Sequence, residues 1–294
     1  SQDMKSMEFS DELLAIARAG VGVNNIPVDA CAEKGIVVFN TPGANANAVK
    51  ELVIAGMLLA SRNIVAASNW ATSLDDDIAK QVEKGKSQFK GHELRGKTLG
   101  VIGLGGIGVP VVNAAIALGM NVIGYDAYLS VNNALHLSKH AKVVDNLDEM
   151  LPECDFLTVH VHANAETNGM INKHVFSMLK EGAVLLNYAR ASIVDIDALK
   201  EALYSSKISK YVTDFPNTDM VGLPNVILTP HLGASTDEAE DNCAEMAVDQ
   251  MMDYIENGNI KNSVNFPAVN MGKCCVASRV GILHRNIPNM IGSI

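Results

Sequence analysis

Short apolar runs without polar alternation recur through the middle of the chain. TLGVIG, NVIGYD, CDFLTVHV, GAVLLNYA, YVTDF and NVILTP each read as a strand, and VPVVNAAIALG and DIDALKEALYS read as helices between them. A strand that is apolar at consecutive positions has both faces buried, which is the condition of a parallel sheet covered by crossover helices. The pattern predicts an α/β fold with a doubly wound parallel sheet.

The flanks read differently. From Leu13 to Thr41 helix, strand and turn alternate at short range (LLAIARAG, IVVFNTPG), and the long apolar helix VKELVIAGMLLASRNI follows. After Trp70 the polar stretch DDDIAKQVEKGKSQFKGHEL is expected to be a surface helix and connector. Beyond the last strand come the amphipathic helix DEAEDNCAEMAVDQMMDYIENG and the polar strand or tail NIKNSVNFP. The opening SQDMKSMEFSDELLAIARAG carries no targeting character and no strand before its first helix, so a start in mid-domain is expected. VASRVGILHR reads as a strand and NIPNMIGSI as the beginning of a helix. The expected division is 1–44 and 233–268 for a smaller domain, 45–232 for the doubly wound domain, and 273–294 for the start of a further one.

Composition narrows the partners. With 294 residues, 48% of them hydrophobic, the chain can bury a large core and fits two domains better than one. A net charge of -10 argues against nucleic acid or an anionic membrane as a partner, because both reward clustered Lys and Arg. An anionic substrate would then need a local basic pocket. The five cysteines show no CxxC spacing, and their odd number without a signal peptide fits reduced thiols in the cytoplasm. No apolar run reaches membrane-spanning length.

The first chemical motif is GLGGIG, Gly103 to Gly108, between the strand TLGVIG and the helix VPVVNAAIALG. In such a crossing Gly103 permits the tight turn, Gly105 lets backbone approach a pyrophosphate, and Gly108 lets helix pack on strand. Pro110 in the first helical turn costs no hydrogen bond. The helix N-terminus offers N–H groups and a partial positive charge to an anion. Asp126 ends the strand NVIGYD, 18 residues beyond Gly108, placed to accept hydrogen bonds from a ribose 2'-hydroxyl. A carboxylate there repels a 2'-phosphate, and no Arg or Lys follows until Lys139, so NAD is expected over NADP. The plainer reading is that the glycines serve only a tight turn.

The second is a trio at strand ends. Arg190 follows GAVLLNYA, Asp214 follows YVT and His231 follows NVILTP, on the edge where open α/β sheets bind ligands. A guanidinium there can hold a carboxylate by two parallel hydrogen bonds, and an imidazole can accept a hydroxyl proton as hydride leaves the same carbon. A nearby carboxylate would orient the imidazole. Taken singly each is more often a solvated surface group. His160 and His162 share one face of a strand, but with no further Cys or His nearby in sequence no metal is expected, and His160 is placed near the cofactor.

ARAGVGVNNI, NTPGANANAVKE, GKTLGVIGLGGIG, NYARASIVDIDAL, NVILTPHLGASTDEA and NSVNFP together resemble the D-isomer-specific 2-hydroxyacid dehydrogenases over nearly the whole chain, with NYAR and TPHLGAST the most specific. The resemblance implies a Rossmann cofactor domain with a second, smaller flavodoxin-like α/β substrate domain. It also implies NAD as cofactor and a homodimer or higher homo-oligomer. Within the family it runs to the members that oxidise D-3-phosphoglycerate to 3-phosphohydroxypyruvate, the first step of phosphorylated serine biosynthesis. The alternatives are an enzyme for another small D-2-hydroxy acid, such as glyoxylate, hydroxypyruvate or lactate, and an NAD-sensing corepressor-like binding protein.

Position by position, the resemblance implies that Arg190 binds the substrate carboxylate and His231 is the acid/base. Asp214 and Gly233 would hold the nicotinamide carboxamide, and Gly106, Ile107, His160 and Ala189 would line the cofactor. The backbone of Val23 and Asn24 would approach the carboxylate of a phosphorylated 2-hydroxy acid, while Arg18 and Asn45 would contact its phosphate, with Lys50 a further basic candidate. The family's catalytic glutamate, five residues after Asp214, is Asp219 here, one methylene shorter. The family also has Asp where this chain has Asn24, and Pro where it has His162. SRVGILHRNIPNMIGSI resembles the first strand and helix of an ACT domain.

Overall fold

A computed structural model describes residues 3–284, 288 and 290–293. The chain divides into two units, Ser1–Asn45 with Thr236–Ile294, and Ala46–Ser235.

The larger unit is built on seven parallel strands, β3 (Thr98–Ile102), β4 (Asn121–Tyr125), β5 (Lys142–Val144), β6 (Phe156–Val159), β7 (Ala183–Asn187), β8 (Ile208–Thr213) and β9 (Val226–Leu228), numbered after two strands of the smaller unit. They lie in the order β5-β4-β3-β6-β7-β8-β9. The chain builds outward from β3 in one direction and then, from β6, in the other. That reversal places a topological switch point beside β3.

Period-two alternation explains why the strands read as unbroken apolar runs. In β3, Leu99 and Val101 enter one core with Val109, Val112 and Ala115 of the helix Gly108–Ala117, while Ile102 enters the other with Leu151, Leu157 and Val159. In β7, Val184 and Leu186 go one way and Leu185 the other. Both of these strands are therefore covered twice, as helices on both faces of a sheet require. β5, which the pattern did not reveal, is an edge strand of three residues with Lys142 and Val143 exposed.

In the smaller unit β1 (Ala15–Ala17) pairs in parallel with β2 (Val37–Phe39). LLAIARAG is thus a strand rather than a helix, and the first helix is Val28–Glu33. Val38 and Ile36 pack with Ile26 and Cys31. Val37 and Phe39 pack with Ile260, and Phe39 meets Tyr254 of the helix Asp237–Asn257 at 5.6 Å. The polar segment after that helix caps the edge of β2: Asn265 accepts from Val38 N–H and donates to the Ile36 carbonyl.

Two further expectations change. The long apolar helix is Ala46–Ser61, interrupted at Asn63, whose φ of 52° is left-handed, and resumed as Ile64–Thr72. The strand expected over VASRVGILHR is absent over its described residues 276–284; Arg285 lies outside the described residues. The helix expected in NIPNMIGSI is described only as Met290–Ser293. Among the described residues no single helix is long and apolar enough to cross a membrane.

Candidate active site at the carboxyl edge of the sheet

The glycine-rich turn leaves β3 at the switch point, and its three key glycines are small for three different reasons. Gly103 has a φ of 92°, and a Cβ there would lie 2.7 Å from the His160 carbonyl oxygen. A Cβ on Gly108 would collide with the Gly103 carbonyl oxygen, so Gly108 is what lets the turn close on the helix. Gly105 has nothing within 4 Å of where its Cβ would stand. Its smallness serves no packing need inside the protein, and it leaves backbone open to an approaching group at the N-terminus of Gly108–Ala117. Gly106 and Ile107 complete the turn, with Ile107 packed partly on the core.

Asp126 braces the turn from the end of β4. It accepts from Leu104 N–H at 2.7 Å and from Tyr128 N–H at 2.8 Å, one on each oxygen, so each oxygen keeps accepting capacity for ribose hydroxyls. An open Gly105, a helix N-terminus and a fixed carboxylate on the next strand fit an NAD molecule. His160, beside the turn, has its Nδ1 sealed from solvent without a partner and its Nε2 against Thr158 Oγ1 at 3.0 Å. Burial pulls its pKa down to about 3, so the ring is neutral at ordinary pH. Among the described residues no cluster of His, Cys, Asp or Glu could hold a metal ion.

Arg190, Asp214 and His231 follow β7, β8 and β9, and a buried polar network joins their loops. Asn187, at the end of β7, donates to the Arg190 carbonyl at 2.9 Å and accepts from Ala189 N–H at 3.1 Å. Its own carbonyl accepts from Thr213 Oγ1 and from Asp214 N–H. Asp214, 2% exposed, accepts from Thr229 Oγ1 at 2.7 Å, Leu232 N–H at 2.7 Å and Gly233 N–H at 2.6 Å. Its carboxylate therefore fixes the loop on both sides of His231, rather than the imidazole itself. Burial, with the Asp214 carboxylate second, pushes the Tyr188 hydroxyl pKa up.

His231 is exposed and has a φ of 58°, left-handed for a residue with a Cβ. Its ring meets Phe215 at 4.7 Å between centroids, tilted by 53°. The Arg190 guanidinium lies over the same Phe215 ring at 5.5 Å, and its Nη1 donates to the Ala189 carbonyl at 2.7 Å. The structure thus brings the two candidate catalytic groups to one aromatic ring. Phe215, Asn187 and Thr229 escaped the sequence reading, although each adjoins or lies within the motifs NYAR, YVTDF and NVILTP.

Asp219 goes elsewhere. It is exposed, in the short turn Thr218–Met220, and pairs with Lys200 of the helix Ile196–Tyr204 at 3.3 Å instead of with the imidazole. Among the substrate candidates, Arg18 Nε and Asn45 Oδ1 are sealed and unpartnered. Val23 packs partly on the small core, and Asn24 is exposed. Lys50, on Ala46–Ser61, is engaged by Asn47 at 2.5 Å and Glu51 at 3.9 Å.

Residues 54–233 match the family described as D-isomer specific 2-hydroxyacid dehydrogenase, NAD binding domain, and the chain belongs to that family. It is 40% identical over 269 residues to a D-3-phosphoglycerate dehydrogenase of Methanocaldococcus jannaschii, covering 90% of this chain and 49% of that protein. With a D-3-phosphoglycerate dehydrogenase of Haemophilus influenzae it shares 35% over 302 residues, 98% of this chain and 70% of the relative. Among solved structures, an NAD+-bound 3-phosphoglycerate dehydrogenase of Entamoeba histolytica aligns with a TM-score of 0.69 at 31% identity, over 87% of this chain and 76% of that one. A glyoxylate reductase from Paecilomyes thermophila aligns with a TM-score of 0.70 at 30% identity, over 86% and 76%. The chain spans about half the length of several of the curated relatives it matches.

Proposed function

We propose that the protein oxidises D-3-phosphoglycerate to 3-phosphohydroxypyruvate with NAD. The observation that carries the reading is the meeting of Arg190 and His231 on Phe215, at the carboxyl edge that also holds the glycine-rich turn. Bound NAD would supply the acceptor for the C2 hydrogen as hydride. His231 takes the C2 hydroxyl proton as the carbonyl forms, and returns it in the reverse direction. Arg190 holds the substrate carboxylate by its paired N–H groups and offsets charge gathering on the C2 oxygen. Asp214 keeps the His231 loop in place, and with Gly233 and Ala189 it lies on the nicotinamide side; Asp126 takes the ribose hydroxyls.

Asp219 serves as the carboxylate partner of His231 by exchanging Lys200 for the imidazole. Arg18 and Asn45 are assigned to the phosphate and the backbone of Val23 and Asn24 to the carboxylate, on the family resemblance, with Lys50 a further basic candidate on this sequence's own showing. The phosphorylated substrate is favoured because relatives named for it match most of this chain, and because Arg18 Nε and Asn45 Oδ1 are polar atoms in need of a partner. The exposed apolar residues Leu58, Ile64 and Val65 support a homodimer or larger homo-oligomer. Five free thiols support a cytoplasmic location.

The test follows NADH oxidation by the full-length protein with 3-phosphohydroxypyruvate, glyoxylate and pyruvate in parallel. A preference of roughly a hundredfold for the phosphorylated acid, about 2.7 kcal/mol at the transition state, is expected. Equal or greater activity on the unphosphorylated acids overturns the substrate assignment, and tight NADH binding with no turnover of any acid overturns the enzymatic one.

A further inference from the structure

Phe215 stands at a strand end and belongs to none of the hydrophobic core clusters of the described residues. It is half-buried, just beyond the last residue of β8, and its N–H is tied to Thr213 Oγ1 at 3.2 Å. The residue before it, Asp214, fixes the backbone around His231. The residue before that, Thr213, fixes the Asn187 carbonyl, and Asn187 in turn fixes the carbonyl of Arg190. Backbone placement of both candidate catalytic loops therefore converges on Thr213 and Asp214. Their side chains converge one residue later.

Arg190 and His231 share no hydrogen bond, and the Phe215 ring meets both of them. A guanidinium over an aromatic face is attracted by the ring quadrupole, and an imidazole against the same ring is favoured further when it carries a proton. A flexible arginine and an exposed histidine on a left-handed turn would otherwise sample several rotamers, and catalysis needs both aimed at one carbon.

We propose that Phe215 is a positioning residue that sets the Arg190 guanidinium and the His231 imidazole relative to each other through its aromatic face. The inference rests on the functional reading above. An aliphatic side chain of similar bulk would fill the space without supplying the quadrupole, so replacing Phe215 with Leu separates packing from aromaticity.

The experiment compares Phe215→Leu, Phe215→Met and Phe215→Tyr in the full-length protein. Turnover of 3-phosphohydroxypyruvate, NADH affinity by fluorescence quenching and thermal melting are measured for each. Phe215→Leu is expected to lower kcat/KM about tenfold, through a lower kcat and a higher KM for the keto acid, with NADH affinity unchanged and Phe215→Tyr within about threefold of wild type. Phe215→Met stands in if the Leu variant does not fold. Full activity in the aliphatic variant, or an equal loss in Phe215→Tyr, overturns the inference.

A second reading is independent of turnover. The ring 4.7 Å from His231 displaces the imidazole proton resonances in histidine-labelled protein, and the displacement disappears in Phe215→Leu. Resonances that do not move on substitution overturn the inference even if the enzyme is active. A wild-type protein that shows the displacement but turns over no hydroxy acid sinks the functional reading and leaves the contact standing.

Discussion

Asp214 receives the Gly233 N–H at 2.6 Å, and a Cβ on Gly233 would stand a tight 3.2 Å from that same carboxylate oxygen. The pair ties the end of β8 to the loop that carries His231. Asp214→Asn presents an amide N–H2 to donors that need an acceptor, leaving at least one buried N–H unpaired at a cost of about 2 kcal/mol. We expect a lower melting temperature and a loss of more than about a hundredfold in kcat/KM. Wild-type stability in Asp214→Asn would mean that the loop is held by other contacts.

Gly105 and Gly108 separate cofactor binding from folding. Gly105→Ala places a methyl in space the protein does not use, so its melting temperature should match wild type while NADH affinity falls about tenfold, or about 1.4 kcal/mol. Gly108→Ala pushes against the Gly103 carbonyl and should lower both. Equal NADH affinity in wild type and Gly105→Ala, measured by titration, would place the pyrophosphate elsewhere.

Asp219 is paired with Lys200, and the proposed role beside His231 requires that pair to break. Lys200→Ala should leave kcat/KM unchanged or raise it slightly, because an exposed ion pair is worth less than about 1 kcal/mol and its loss frees the carboxylate. Asp219→Asn should lower kcat/KM about tenfold or more, and Asp219→Glu should retain activity. Full activity in Asp219→Asn would remove Asp219 from the catalytic set.

His160 predicts an acid-side effect on stability. Its folded pKa of about 3 lies below the ordinary 6.5, because burial disfavours the charged ring. Between those values the unfolded chain binds a proton that the folded chain refuses. Stability from this group is therefore complete above pH 6.5 and falls as pH drops toward 3, by about 1.4 kcal/mol per pH unit at most. Urea midpoints at pH 7 and pH 5 should diverge more in wild type than in His160→Gln; parallel behaviour would assign the acid sensitivity to other groups.

The doubly wound core was legible because its strands are buried on both faces. TLGVIG and GAVLL leave no polar alternation to confuse them with amphipathic elements. KVV of β5 was invisible for the opposite reason, being three residues long with two exposed. LLAIARAG misled because Leu and Ala favour helices, whereas here pairing with β2 makes the segment a strand. At the candidate site, spacing placed Arg190, Asp214 and His231 on one edge. It could not show that Asp214 grips backbone instead of imidazole, since both roles call for the same residue type at the same distance. Nor could it show Lys200 beside Asp219, because the end of the helix Ile196–Tyr204 and the strand β8 lie between them in sequence.

The left-handed backbone at His231 changes how that residue can be replaced. Asn visits this region of φ/ψ far more readily than a β-branched side chain, so His231→Asn removes the imidazole while the chain keeps its path. His231→Val would drive the backbone toward extended angles and draw the neighbouring N–H groups away from Asp214. Two substitutions at one position would then report different quantities: the first the proposed proton acceptor alone, the second that group together with the loop that presents it.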